Sequence, residues 1–176
     1  MSDGVAVAPD HGVSSRTLVV GLGNPILGDD GVGWRVAEEV RARLTDPDVT
    51  VTCLALGGVS LMERLVGYRR AVVVDALTTG APLGSVFSVP LSALPEPAGH
   101  TASAHDTTLA AALALGRALG AELPEEVWVV AVEAERLYEF SDTLSPRVAA
   151  AVPEAVRCVE AWLAGQGLSG PAVPPD

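Results

Sequence analysis

The chain contains no lysine, few aromatic residues and only two cysteines among its 176 residues. All 11 basic residues are arginine, against 22 acidic residues, so the net charge is −11 at pH 7 with histidine neutral. An acidic balance argues against nucleic acid or an anionic membrane as a partner, because either would need a basic patch. Cys53 and Cys158 lie in unrelated segments, which fits neither a disulfide framework nor a metal-ligand cluster.

Long apolar runs are also missing, since none reaches the ~18 residues needed to span a bilayer. The first residues carry Asp3 and Asp10 without a basic stretch, so no signal peptide is predicted. We therefore expect a cytoplasmic protein with no membrane partner. The composition is 49% hydrophobic and 19% charged, which is typical of a folded chain rather than a disordered one.

The order of apolar and polar segments predicts one α/β domain. We expect a flexible arm over residues 1–15, a single domain over 16–164 and a disordered tail over 165–176. Apolar, β-branched runs predict buried strands at 17–22, 71–75 and 127–132, and residues 49–54 form a further predicted strand. The alternating run 85–89 predicts a half-exposed edge strand. Helical patterns fall between them, starting after Gly33, at 60–66, at 107–119 and after the Ser145-Pro146 pair. Strands alternating with helices indicate an α/β sandwich with a mostly parallel sheet.

A glycine-rich loop over residues 21–33 follows the first strand. A nucleotide-binding enzyme is one hypothesis for such a loop, but the spacing is G-x-G-x-x-x-x-G rather than G-x-G-x-x-G. Asp29 and Asp30 also stand where a pyrophosphate would bind at a helix start. Two adjacent carboxylates there suggest that one caps a helix while the other points into a cleft.

Asp30, Asp75 and His105 are the candidate ligands of a metal ion. Each lies at the edge of an element that a parallel sheet would bring to one rim. Two carboxylates and one imidazole suit a borderline divalent ion such as nickel or zinc and leave coordination positions open. His100 is a rival ligand in a loop rich in proline and glycine, and residues 133–135 are predicted to be a solvated acidic loop that could line the same cleft.

The segment from Val20 to Gly33 resembles the opening motif of the hydrogenase maturation proteases, which process the large subunit of nickel–iron hydrogenases. The resemblance extends over roughly residues 17–163 and includes Gly57-Gly58, Asp75 and His105. It implies a three-layer α/β/α sandwich around a twisted sheet of five strands. It also implies that Asp30, Asp75 and His105 bind metal and carry the catalysis, although the first acid is often Glu in relatives and is Asp here.

The resemblance further implies a partner, a metal and a reaction. The partner is the precursor of a nickel–iron hydrogenase large subunit, and the nickel is supplied by that precursor, so no permanent cofactor is expected. The endopeptidase removes the C-terminal extension of the precursor after nickel insertion. We assign to the substrate loops Gly23, Asn24, Asp29, Gly31, Gly57 and Gly58. A non-catalytic nickel or assembly chaperone remains an alternative alongside the nucleotide-binding enzyme.

Overall fold

The computed structural model describes residues 16–94, 108–135 and 140–166. These residues contain five strands, namely β1 Thr17–Leu22, β2 Val49–Leu54, β3 Arg70–Leu77, β4 Val86–Pro90 and β5 Glu126–Glu133. They also contain four α-helices, namely α1 Val32–Arg43, α2 Gly58–Leu65, α3 Leu109–Ala118 and α4 Pro146–Leu163. The predicted arm and all but two residues of the predicted tail lie outside the described residues and stay predictions.

The five strands form one sheet in the order β2-β1-β3-β5-β4. β1, β2, β3 and β5 run parallel, and β4 pairs with β5 in the antiparallel direction at one edge. The prediction of a mostly parallel sheet of five strands is confirmed.

Helices cover both faces of this sheet. On one face, α1 and α4 pack against strand residues such as Val72 and Val74. On the other face, α2 and α3 pack against residues such as Leu18 and Val73. Strands covered on both faces need apolar side chains in both directions, which explains their continuous apolar runs. The result is the three-layer sandwich that the resemblance implies.

The edge strand β4 differs from the sequence prediction. It lies at the edge as expected, but its side chains from Val86 to Val89 are buried rather than half-exposed. Its one polar member, Ser88, accepts a hydrogen bond from the indole Nε1 of Trp128 on β5 at 2.8 Å. Burial of Ser88 is therefore compatible with the core because its hydroxyl has a partner.

Strand β3 extends beyond its predicted end. The apolar run predicts an end at Asp75, but β3 continues to Leu77 because Ala76 and Leu77 still pair with β5. Asp75 is thus part of the strand rather than the residue that closes it. No helix within the described ranges combines the length and apolarity required to cross a membrane.

Candidate active site at the carboxyl edge of β1 and β3

The chain order creates a crevice between β1 and β3. From β1 the chain moves to β2 on one side, then returns to β3 on the other side. The pairing of β1 with β3 ends at Gly21 and Val74, so Asp75 is the first residue of β3 without a partner on β1. Open parallel sheets bind ligands at such a reversal of strand order, beyond the carboxyl ends of the strands.

The glycine loop after β1 packs tightly against this crevice. Gly23 has φ +115°, and a β-carbon there would stand 1.9 Å from the backbone oxygen of Asp30. A β-carbon on Gly33 would stand 2.4 Å from the backbone oxygen of Val74. Only glycine permits these approaches. They bring the start of α1, and Asp30 with it, next to the residue that precedes Asp75.

Asp30 lies in a 3-10 turn, Gly28–Gly31, immediately before α1. Its Oδ2 accepts a hydrogen bond from the backbone N–H of Asn24 at 2.6 Å, which directs the carboxylate back over the loop. Its Oδ1 accepts no hydrogen bond from the part of the chain that the structure describes. The partly exposed carboxylate can therefore bind an additional ligand.

Asp75 is mostly buried on β3 and faces the same side of the sheet as Val73, the side covered by α2 and α3. Burial raises its pKa from 3.8 to about 7, against the opposing effect of a 2.8 Å hydrogen bond from the Ala76 N–H. The negative charge of Asp30 contributes to this raised pKa. A cation placed between the two carboxylates would reverse this effect and favour ionised Asp75.

His105 and its rival His100 lie outside the described residues, so the third predicted ligand stays a prediction. The chain resumes at Thr108, whose Oγ1 accepts a hydrogen bond from the Ala111 N–H and caps α3. α3 precedes β5, and its last turn is bound to the residues that lead into that strand, through a hydrogen bond from Arg117 to the Pro124 carbonyl. Its first turn therefore points towards the carboxyl edge of the sheet, on the face that Asp75 occupies. Within residues 16–94, 108–135 and 140–166, no group of three His, Cys, Asp or Glu side chains could hold a metal ion.

Asp29 occupies a different place from its neighbour Asp30. Its side chain is fully buried, and its Oδ1 accepts a hydrogen bond at 2.6 Å from the backbone N–H of Ser145, at the start of α4. The sequence predicts Asp29 in a substrate loop, but its fully buried side chain does not reach a visiting peptide. The expectation that one of the two acids caps a helix agrees with this contact, although the helix is α4 rather than α1.

Of the other residues assigned to the substrate loops, Gly31 is buried, and a β-carbon there would stand 2.9 Å from Pro25 Cα, so it is closed to a peptide. The remaining ones lie at the same edge. Asn24 contributes its backbone N–H to Asp30, and its Oδ1 accepts a hydrogen bond from the Ile26 N–H at 3.2 Å. Gly57 is exposed between β2 and α2, and the nearest atom to a β-carbon there would be Leu22 Cδ2 at 3.9 Å. Gly58 is the first residue of α2. The edge is therefore open to an approaching chain at Gly57.

A groove lies beside this opening, with a volume of about 520 Å³. It is lined by Leu54, Ala55, Leu56, Ser60, Glu63 and Arg64. Leu56 is 68% exposed. The mixture of apolar and charged lining side chains suits a peptide better than a small apolar molecule.

Glu133 is a buried carboxylate that the sequence analysis placed in a solvated loop, and that prediction is wrong. It is the last residue of β5 and is 1% exposed. Its carboxylate accepts hydrogen bonds from the Thr79 N–H at 2.7 Å, the Thr79 Oγ1 at 2.8 Å and the Gly80 N–H at 2.9 Å. Glu133 therefore anchors the loop after β3 rather than lining the crevice, whereas Glu135 is exposed as expected.

Comparisons with known proteins agree with this architecture. The sequence model of the family described as hydrogenase maturation protease, HycI, matches residues 34–162. The hydrogenase 2 maturation protease of Escherichia coli is 30% identical over 156 residues, which cover 87% of this chain and 93% of that protein. The hydrogenase expression/formation protein HupM of Azotobacter chroococcum is 30% identical over 89% of this chain and 76% of its own length. The structure of the hydrogenase maturating endopeptidase HybD from E. coli superposes with a TM-score of 0.71 at 27% identity, covering 85% of this chain and 93% of that one.

Proposed function

Because the chain belongs to the hydrogenase maturation protease family and is an endopeptidase of that family, we propose that it removes the C-terminal extension of a nickel–iron hydrogenase large-subunit precursor after nickel insertion. The observation that carries this proposal is the convergence of Asp30 and Asp75 on the crevice between β1 and β3. Two acidic side chains with open coordination positions are suited to a cation that another molecule presents.

Nickel is part of the substrate in this proposal. Asp30 and Asp75 supply oxygen ligands and His105 supplies nitrogen, a set that suits a borderline divalent ion. The positive charge of the ion offsets the repulsion between the two carboxylates and lowers the Asp75 pKa, so the acidic pair is most stable when the ion is present. A precursor without nickel leaves that repulsion in place, which gives the enzyme a physical reason to reject it.

The chemical step is the hydrolysis of one peptide bond. An ion held by these residues would polarise the scissile carbonyl, and Asp30 or Asp75 would accept a proton from the attacking water. The water oxygen bonds to the carbonyl carbon, the C–N bond breaks, and the proton passes to the departing amine. Removal of the extension leaves a new carboxyl terminus on the large subunit.

The peptide approaches along the carboxyl edge of the sheet. Gly57 leaves that edge open, and the groove of about 520 Å³ beside it accommodates an extended segment. Ile26 and Leu56 are 52% and 68% exposed there and offer apolar contacts to a peptide. We assign the segment bound in the groove to the C-terminal part of the precursor.

We also propose that this reaction takes place in the cytoplasm. Cys53 and Cys158 are both free thiols rather than a disulfide pair. Free cysteines of this kind are typical of a reducing compartment.

The test is an intact-mass assay with nickel-loaded and nickel-free precursor. The wild-type chain should shorten the nickel-loaded precursor by the mass of its extension and leave the nickel-free precursor intact. Asp30→Ala, Asp75→Ala and His105→Ala should each block the mass loss. Asp48→Ala is the matched control, because Asp48 is an exposed acid at the opposite end of β1. Full trimming by the three site variants would contradict the proposal.

The intact-mass assay and a calorimetric titration separate the two alternatives. A nickel chaperone would retain nickel in the absence of the precursor and would produce no mass loss with any substrate. A nucleotide-binding enzyme would show heat of binding on calorimetric titration with NAD or ATP. The carboxylate of Asp30 stands at the start of α1, where a pyrophosphate would bind, so the geometry disfavours the second alternative.

A further inference from the structure

The glycine loop is joined to the segment before α4 by contacts that the proposed chemistry does not use. The Ser141 N–H donates to the Ile26 carbonyl at 3.0 Å, and the Gly28 N–H donates to the Ser141 carbonyl at 2.8 Å. The Ser145 N–H donates to the Asp29 Oδ1 at 2.6 Å. Of these three hydrogen bonds, only the last uses a side chain. A substitution of Asp29 therefore removes one link between the loop and the start of α4.

Asp29 is also unusual in how it is buried. It is fully buried, yet its Oδ2 has no hydrogen-bond partner in the described part of the chain, and the same holds for the buried Ser145 Oγ. A buried carboxylate oxygen without a partner costs free energy. A serine hydroxyl at the start of a helix ordinarily caps that helix, but the Ser145 side chain makes no capping hydrogen bond. The arrangement therefore holds the 3-10 turn against the start of α4 even though two buried polar atoms have no hydrogen-bond partner.

The 3-10 turn couples Asp29 to Asp30. Successive side chains in a 3-10 turn point about 120° apart. With the Asp29 side chain held against Ser145 in the interior, the Asp30 side chain must point away from it, and its Oδ2 meets the Asn24 N–H. A rotation of the turn about its axis would displace both carboxylates together.

We propose that Asp29 is a positioning residue, which fixes the direction of the Asp30 carboxylate by attaching the 3-10 turn to the start of α4. The effect of this position on cleavage rests on the proposed function. The coupling between the positions of the Asp29 and Asp30 side chains does not. Asp29 itself touches neither the substrate nor the ion.

The Asn24 amide provides a direct measurement of this coupling. In the wild-type chain the Asn24 amide proton is hydrogen-bonded to Asp30 Oδ2, so it should resonate downfield and exchange slowly with solvent. Asp29→Ala should move that resonance upfield and speed its exchange. Asp29→Asn retains an oxygen acceptor for the Ser145 N–H, so it should keep the wild-type signal.

A control variant that is also destabilised separates a positioning role of Asp29 from general destabilisation of the fold. Val148→Ala removes buried methyl groups from α4, because Val148 is completely buried, and it leaves the hydrogen bond between Ser145 and Asp29 in place. It should lower the unfolding temperature and leave the Asn24 amide unchanged. With nickel-loaded precursor, Asp29→Ala should cleave about 10-fold or more slowly, as for residues that orient a metal ligand, while Val148→Ala and Asp29→Asn retain cleavage.

A second variant covers the case in which Asp29→Ala does not fold. Ser145→Pro removes the donated N–H from the α4 side, and the Ser145 φ of −59° is one that proline adopts. It should give the same upfield shift of the Asn24 amide. An unchanged Asn24 amide in the folded Asp29→Ala or Ser145→Pro variant would overturn the inference. A wild-type chain that fails to cleave the precursor would overturn the proposed function alone, because the amide measurement needs no substrate.

Discussion

Asp75 lies close enough to Asp30 that the negative charge of Asp30 adds to burial in raising the Asp75 pKa to about 7. The two residues are 45 positions apart in the sequence, and they meet because the glycine loop folds over the point where β1 and β3 separate. A pair of coupled carboxylates at a strand crevice is the physical basis of the proposed chemistry.

We predict that Asp75 titrates near pH 7 and that Asp30→Asn lowers its pKa. The neutral side chain removes the repulsive charge but leaves Asp75 buried, so the Asp75 pKa should remain above its ordinary value of 3.8. Carbon-13 NMR of the carboxyl groups in the two proteins measures both values. An Asp75 carboxyl that titrates near pH 4 in the wild-type chain would show that the Asp75 carboxyl is exposed to water and that burial does not raise its pKa.

We predict that Asp75→Asn stabilises the free protein at neutral and higher pH. The folded-state pKa of Asp75 is raised, so between pH 3.8 and about 7 the native state binds more protons than the unfolded state. Stability from this residue is therefore fully present below about pH 4 and is lost as the pH rises through about 7. The isosteric amide avoids that loss and should gain about 1–3 kcal/mol at pH 8, with little change at pH 4.5.

Urea unfolding at the two pH values measures this difference. Asp48→Asn, an exposed acid remote from the crevice, should show no such dependence on pH. A loss of stability at pH 8 in Asp75→Asn would mean that the ionised carboxylate has favourable partners in the free enzyme.

We predict a large difference between two glycine-to-alanine variants. Gly23→Ala combines a positive φ of +115° with a β-carbon 1.9 Å from the Asp30 carbonyl oxygen, so the loop must move. Gly67→Ala has a φ of +83° but meets no atom within 4 Å. Thermal unfolding should show about 1 kcal/mol of destabilisation for Gly67→Ala and clearly more for Gly23→Ala. Equal losses would indicate that the contact between Gly23 and Asp30 is not tight.

We predict that Glu133→Ala frees the loop after β3. The substitution leaves the Thr79 N–H, the Thr79 hydroxyl and the Gly80 N–H without their acceptor, and it should cost about 2–4 kcal/mol in unfolding free energy. Amide exchange at Thr79 and Gly80 should speed up. Glu135→Ala, at an exposed neighbouring acid, should leave both measurements unchanged.

The sequence predicts the local features of this molecule well. Continuous apolar runs identify β1, β3 and β5 because helices cover both faces of the sheet, and the Ser145-Pro146 pair identifies the start of α4. The predicted end of β3 is too early, because Ala76 and Leu77 stay in the strand through pairing with Val132 and Glu133 of β5, 56 positions later in the chain.

Long-range contacts account for what the sequence analysis missed. Glu133 is buried because its donors come from a loop 53 and 54 positions earlier. The partner of Asp29 lies 116 positions away. Neither of these long-range hydrogen bonds produces a periodic pattern in the sequence. The sequence therefore does not distinguish a buried acid such as Glu133 from an exposed acid such as Glu135.

The most direct test of the central claim is whether Asp30, Asp75 and His105 contact one and the same ion. Co²⁺ is a paramagnetic ion with similar ligand preferences to nickel, and it perturbs NMR resonances strongly near its binding site. Because the precursor supplies the ion, the chain alone should bind Co²⁺ only weakly. Titration of the isotope-labelled chain with excess Co²⁺ at pH 8 should shift or broaden the carboxyl signals of Asp30 and Asp75 and the imidazole of His105 in parallel, with one weak binding curve. Perturbation of the two aspartates without His105, or of the three residues with separate binding curves, would contradict the account.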